Sequence, residues 1–345
     1  MRDALEAELK SAAPPRGVAA WLFLTALLVA LMVALGGLTR LTGSGLSMVE
    51  WNPHHILPPL NEAEWQEAFA GYRATPEYKL VNAGMDLAGF KGIFWLEYIH
   101  RLWGRLIGLV FAAPLVWFAV KGRLDRRLVR RLGLLFLLGA AQGGMGWYMV
   151  ASGLVDRPAV SHFRLAAHLV LAVLILALLL WSALDVLRAT ALPPDSRTTR
   201  RGLLLLAGLA LATITWGAFV AGLHAGHVHN TFPLMSGDWF PPEGLQLSPA
   251  LLNAVENPAS VQYVHRVLAL TLLACLTLFA GWSLSARLTD RRPILLAAAW
   301  AWVQAGLGVA TLLAGVPVAL ASAHQMGAVV LFALLTWGLH SVRSP

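Results

Sequence analysis

Apolar residues run along this chain in blocks too long for a soluble core and broken by short polar punctuation. Uninterrupted stretches at about 20–39, 132–155, 165–184, 202–223 and 267–286 each reach the ~20 helical residues that cross a ~30 Å hydrocarbon layer. Residues 293–342 carry no Asp, Glu, Lys or Arg and are too long for one crossing. "AGVPVA" (314–319) supplies Gly315 and Pro317 as a turn that divides them. The eighth crossing is the least regular. Leu106 to Val120 is apolar but short, so the helix must draw in the polar turns before it, "FWLEYIHRLWGR" (94–105). That places Glu97, His100, Arg101 and Arg105 at or inside the outer membrane face. The pattern predicts an all-α membrane protein of eight transmembrane helices.

Composition agrees, with 58% hydrophobic and 13% charged residues in 345. Basic residues set the orientation, because short cytoplasmic loops collect Lys and Arg. They gather in "KGRLDRRLVRR" (121–131), at Arg188, Arg197, Arg200 and Arg201, and at Arg287, Arg291 and Arg292. With eight helices all three clusters share a side with both termini. The formal charge of +8 therefore reflects topology, and no nucleic-acid surface is expected. Two long segments, about 40–95 and 224–260, fall on the opposite side and are read as ordered caps over an outward-facing site, with floppy loops as the alternative. Asp3, Glu6 and Glu8 in the first fifteen residues argue against a mitochondrial transit peptide, and no cleavable signal pattern precedes the first helix. A bacterial inner membrane is the expected location. The single Cys275 excludes an intrachain disulfide and a cysteine metal site.

The chain also repeats itself. "LEYIHRLWGRLIGLV" (96–110) parallels "VQYVHRVLALTLLA" (261–274), each with Tyr two places before a His that is followed by Arg. "AAQGGMGW" (140–147) parallels "WVQAGLGV" (302–309), with Gln142 and Gln304 in register. "LAAHLVLAVL" (165–174) parallels "LASAHQMGAVVL" (320–331), which sets His168 opposite His324. The expected organisation is a tail at 1–19, a four-helix bundle at 20–187, a cytoplasmic linker at 188–201 and a second four-helix bundle at 202–342. The two bundles would be pseudo-symmetric and inserted in parallel. His100, His168, His265 and His324 then lie near the outer ends of helices two, four, six and eight.

Ionisable groups inside a membrane are costly and mark function. Two pairs of histidines at one depth, on alternate helices of an apolar bundle, suit two planar haems held by axial imidazoles. Gly143, Gly144, Gly146, Gly306 and Gly308 would let a flat ring approach the backbone, or simply serve helix packing. Arg101 and Arg266 are placed to pair with haem propionates, or to snorkel to the interface. The halves differ three residues before the first His of each pair. Glu97 stands in the first half and Gln262 in the second, each on the same helix face as its His. A carboxylate can take a proton or stabilise positive charge, whereas an amide can only hydrogen-bond. The first half thus reads as reactive and the second as a fixed cofactor site. The structural alternative for Glu97 is a salt bridge to Arg101 or Arg105. His227 and His229, a His-x-His in a loop, read as solvated residues or an adventitious metal site, and His54, His55, His162 and His340 as structural or surface.

Several long blocks resemble the haem A synthase family: "GGLTRLTGSGLSMVEW" (36–51), "LPPLNEAEWQ" (57–66), "GMDLAGFKGIFWLEYIHRLWGRLIGLVF" (84–111), "RLAAHLVLA" (164–172), "AGLHAG" (221–226), "NTFPLM" (230–235) and "VQYVHR" (261–266). The similarity runs over about residues 20–340 and points to the cysteine-poor branch of alphaproteobacteria and mitochondria. It implies an oxidoreductase that converts a ring methyl of haem O to a formyl group by successive hydroxylations, with water as oxygen source, giving haem A for terminal oxidases. It further implies that His100 and His168 hold the substrate haem, that Glu97 is required for oxidation, and that His265 and His324 ligate a resident haem b. On physical grounds Glu97 would stabilise a cation at the methyl or deprotonate the attacking water, and sequence leaves both open. His224, in the "GLHAG" block, and Arg40 are further candidates for contacts at a haem edge or propionate. Implied partners are haem O, an electron acceptor without a name, a haem O synthase and the lipid bilayer. Rival readings are an electron-transfer cytochrome of b type and a haem exporter. A prenyltransferase is excluded because no Asp-x-x-x-Asp is present.

Overall fold

The computed structural model describes residues 16–49, 57–151, 160–187, 197–286, 288 and 290–342. Eight helices are long and apolar enough to cross a membrane: α1 (Arg16–Leu41), α2 (Leu87–Val120), α3 (Arg126–Ala151), α4 (His162–Leu187), α5 (Arg197–Gly222), α6 (Pro258–Ser285), α7 (Arg292–Leu313) and α8 (Val318–Ser341). The all-α membrane class follows directly. Of the sequence expectations, His54, His55, Arg188 and Arg287 lie outside the described residues, as do most of the N-terminal tail and residues 188–196 of the linker. The described parts of tail and linker, 16–19 and 197–201, are the first turns of α1 and α5.

The irregular crossing is the longest helix. α2 has 34 residues, about 51 Å at 1.5 Å per residue, well beyond a ~30 Å hydrocarbon core. It starts at Leu87 because the Asp86 side chain caps it, accepting from the Gly89 N–H at 2.8 Å. The outer segment read as loop to residue 95 is therefore helical from 87 onward. Counting back from the end at Val120, ~30 Å of helix is about 20 residues, which leaves Glu97 and His100 at the rim of the opposite face.

Neighbour relations repeat between the halves. α1 packs on α2, α2 on α3, α3 on α4 and α4 back on α1; α5 to α8 close the same ring. Each half has its own apolar core. Leu22, Phe111, Leu132 and Leu176 belong to the first, and Leu203, Leu276, Ile294 and Leu335 to the second. The halves meet where α4 packs on α5 and α8, and α1 on α8.

The outer segment between α1 and α2 has internal structure. An amphipathic helix, Glu62–Arg73, is capped by Asn61, whose Oδ1 accepts from Glu64 N–H at 3.0 Å, while Glu64 reaches back to Leu60 N–H at 2.7 Å. A five-residue helix, Pro76–Leu80, follows, with Thr75 as cap and Pro76 in the first turn. Trp65, Phe69 and Tyr72 from the first helix pack against Phe90, Phe94 and Tyr98 of α2. Ring centroids in this cluster lie 5.0–5.2 Å apart at Trp65–Phe94, Phe69–Phe90 and Tyr72–Phe90. Aromatic burial of this kind clamps the cap onto the projecting turns of α2.

Candidate functional site

The four histidines stand on even-numbered helices, and each faces a glycine on the helix before it. A Cβ at Gly36 of α1 would come within 3.1 Å of His100 Cε1, at Gly146 of α3 within 3.3 Å of His168, at Gly217 of α5 within 3.1 Å of His265, and at Gly308 of α7 within 2.8 Å of His324. All four glycines lie five residues before the last residue of their helix. Gly143, Gly144 and Gly306 face open space. The small residues that matter here thus make room for imidazole. Gly36 and Gly217 were missed by reading sequence, although their fixed distance from the helix end is a usable signal.

In the second half, His265 and His324 face each other with ring centroids 6.4 Å apart and planes at 90°. A metal bonded to one nitrogen of each ring at about 2 Å needs roughly this separation. His265 Nδ1 lies 3.1 Å from the Thr213 carbonyl and donates to it as Nδ1–H, which leaves Nε2 unprotonated in the neutral ring and available to a metal. Gln304 Nε2 donates to the His324 carbonyl at 2.8 Å and approaches Nδ1 at 3.2 Å. The first half matches: Gln142 Nε2 donates to the His168 carbonyl at 3.0 Å and lies 3.3 Å from the ring Nε2. His100 Nδ1 and His168 Nδ1 are buried without a hydrogen-bond partner, as suits nitrogens kept for a ligand. The donor set, its glycine cradles and its orphaned nitrogens fit two bis-imidazole haem sites.

The halves part company at Glu97 and Gln262. Glu97 is 3% exposed. Its Oε2 accepts from Ser47 Oγ at 2.7 Å and from Met48 N–H at 2.8 Å, and its Oε1 is paired with Arg101. Arg101 Nη2 also donates to the Met48 carbonyl at 2.8 Å. Gln262 instead donates through Nε2 to the His229 carbonyl at 3.0 Å, and Arg266 Nη2 donates to the same oxygen at 2.9 Å. In both halves the Arg after the His grips the outer loop. Only the first half adds a buried negative charge.

Arg40 Nη2 reaches the C-terminal carbonyls of α5, Ala221 at 2.8 Å and Gly222 at 3.3 Å, and His224 Nε2 at 2.9 Å, so it ties α1 to the end of α5. His224 occupies the left-handed region at φ +52° and ends that helix. Burial, then the Arg40 charge, then His227 hold its pKa down, consistent with a neutral ring accepting from Arg40. His229, expected in solvent, is buried. It pairs with Ser236 Oγ at 2.9 Å through Nδ1 and with Glu243 at 2.9 Å through Nε2, because the loop folds down until the His229 carbonyl meets Gln262 and Arg266. His162 and His340 are buried structural residues; His340 Nε2 lies 2.8 Å from Asp185 Oδ1.

One polar residue escaped the sequence reading altogether. Glu77, in the short helix of the cap, is 6% exposed with its Oε2 unpartnered, yet close enough to Glu97 and Arg40 to feel both charges. Nothing in its local sequence, "PEYKL", separates it from a surface glutamate.

Comparison with known proteins gives the same direction. A haem A synthase of Paramagnetospirillum magneticum is 52% identical, with 95% of this chain and 94% of that protein aligned. A haem A synthase of Rhodospirillum centenum is 49% identical over 97% and 91%, and one from Wolbachia pipientis is 43% identical over 91% and 89%. The model of the COX15-CtaA family, described as cytochrome oxidase assembly protein, matches residues 19–336. With nearly every membrane helix and both histidine pairs inside that match, the chain belongs to the COX15-CtaA family of cytochrome oxidase assembly proteins.

Proposed function

We propose that this protein is a haem A synthase of a bacterial inner membrane, with both termini cytoplasmic and both haem sites toward the outer face. It would oxidise a ring methyl of haem O to the formyl group of haem A, through the alcohol and the geminal diol, with water as the oxygen source. His100 and His168 of the first bundle would hold substrate haem O; His265 and His324 of the second would hold resident haem b. When bound, haem b supplies one-electron redox chemistry beside the reacting half, toward an electron acceptor that no residue identifies. A haem O synthase is the expected source of substrate.

The observation that carries this reading is the asymmetry of two otherwise matching sites: Glu97 buried beside one histidine pair, Gln262 beside the other. A pure electron-transfer protein has no use for that difference. The contacts of Glu97 also bear on its role. Both oxygens already accept, from Ser47, Met48 and Arg101, so it is better built as a fixed negative charge stabilising a developing cation than as the base that deprotonates water. Arg101 and Arg266 anchor the outer loops, and remain the residues nearest to hand for propionates. Arg40 and His224 hold the rim between the halves.

The test is chromatographic identification of haems extracted from purified protein, from cells with and without a co-expressed haem O synthase. Haem b alone without the synthase, and haem A or its alcohol precursor with it, is the expected result. Haem b in both, with haem O neither bound nor altered, would favour an electron-transfer cytochrome. A Glu97→Gln variant should keep haem b and lose haem A.

A further inference from the structure

With Glu97 occupied, the oxidation still needs a place for protons. Each hydroxylation with water as oxygen donor turns a C–H bond and a water into an alcohol, two protons and two electrons; the electrons leave one at a time to a one-electron carrier. One of those protons comes from the water. The acceptor must be a buried group with a free lone pair near the reacting face.

Among the described residues, the carboxylate with a buried, unpartnered oxygen is Glu77. Its place is set firmly. Thr75 Oγ1 donates to the Tyr72 carbonyl at 2.7 Å and receives the Tyr78 N–H at 3.2 Å. Asn82 N–H donates to the Glu77 carbonyl at 3.1 Å, and Asn82 Nδ2 to the Tyr72 hydroxyl at 2.7 Å. The cap that carries it also supplies, through Ser47 and Met48, the donors that hold Glu97. The groups facing it are Tyr72 from the cap, Glu97 from α2 and Arg40 from α1. Resting on the haem A synthase reading, we propose that Glu77 is the proton acceptor of the outer site, taking the proton that the attacking water loses and releasing it to the outer aqueous face. In the step, the methyl C–H bond breaks, giving up one proton to solvent and two electrons, one at a time, to the one-electron carrier; the water O–H bond breaks, its oxygen bonds to that carbon, and the water's proton bonds to Glu77 Oε2.

Its environment suits the task. Burial, opposed by the Tyr72 hydroxyl and reinforced by the Glu97 charge, pushes the Glu77 carboxyl up to about 7, where a group can both take and release a proton. Burial raises Tyr72 to about 12, so the tyrosine stays a neutral donor.

The experiment uses the purified full-length protein and its Glu77→Gln, Glu77→Asp and Glu97→Gln variants. Infrared spectra of the protein without haem O, titrated from about pH 5 to about pH 9, should show a carboxyl stretch titrating near neutrality. That band should be missing in Glu77→Gln and titrate lower in Glu97→Gln, which removes a neighbouring negative charge. Haem O conversion by wild type should rise as pH passes through neutrality. Glu77→Gln, with haem b retained, should convert about a hundredfold more slowly with that pH limb gone. Should Glu77→Gln fail to fold, Glu77→Asp must shift the limb to lower pH, since aspartate is intrinsically more acidic. Wild-type rate and pH profile in Glu77→Gln, or an unshifted limb in Glu77→Asp, would overturn the assignment and leave the enzyme reading intact. A wild-type protein that converts no haem O would overturn both.

Discussion

A carboxylate buried as deeply as Glu97 keeps its place through Arg101, since an unpaired buried charge costs several kcal/mol. Removing Arg101 alone, as Arg101→Leu, should therefore destabilise the protein by about 3–5 kcal/mol. The double variant Glu97→Gln/Arg101→Leu should cost clearly less than the sum of the singles. Denaturant unfolding in detergent reads both, and additive values would show that the ion pair is not what holds the site. The glycine cradles give a graded test. Gly308→Ala brings a methyl within 2.8 Å of His324 Cε1, against 3.3 Å for Gly146→Ala and His168. Gly308→Ala should lower the haem-to-protein ratio several-fold, because the imidazole must move. Full haem b occupancy in that variant would count against His324 as a ligand.

Among the elements, the cap helix Glu62–Arg73 makes the difference between a rim of loops and a built site. It is short, and its own hydrogen bonds would not hold it in water; the aromatic contacts of Trp65, Phe69 and Tyr72 with α2 do. Phe69→Ala should cost about 3–5 kcal/mol of local stability. Hydrogen exchange should speed up across residues 57–86 while the cores of α5 to α8 keep their protection. Uniform protection in the variant would mean that the cap is held by something other than this cluster. α2 answers to the same logic: its projecting turns exist because the cap buries Phe90 and Phe94.

The whole molecule is two rings of four helices joined by few polar ties, each in a telling place. On the outer side, Arg40 reaches the end of α5. Beside His324, Gln325 Nε2 of α8 donates to the Val33 carbonyl of α1 at 2.7 Å. At the other end, Asp185 of α4 is shared between Arg131 of α3 and His340 of α8. The basic clusters at 121–131 and around Arg291 lie at this same end as the Asp185 group, which the positive-inside rule predicts to be cytoplasmic. A topology reporter fused after Lys121 should register as cytoplasmic, and one fused after Gly84 as external. The reverse pattern would invert the molecule and place the histidine pairs on the cytoplasmic face.

Most of the architecture was legible in one dimension. Hydrophobic length determines five crossings outright, and the turn at Gly315 and Pro317 and the polar turns before Leu106 supply the other three, since lipid leaves backbone groups no partner outside a helix. The repeated His-Arg and Gln-x-Gly patterns pick out the four histidines because a duplicated bundle repeats its side chains at a constant register. The difference between Glu97 and Gln262 was also visible, because both fall at one place in that register. Contacts between segments far apart in the chain were not. Glu77 reads as an ordinary surface residue until the cap folds over it, and His229 until its loop descends onto Gln262 and Arg266. Gly36 and Gly217 gain meaning only when the next helix brings an imidazole against them. Local sequence encodes which segments leave water, through the free energy of burying apolar side chains. Which polar atoms are left facing one another is decided by packing between those segments, and only the tertiary structure holds that information.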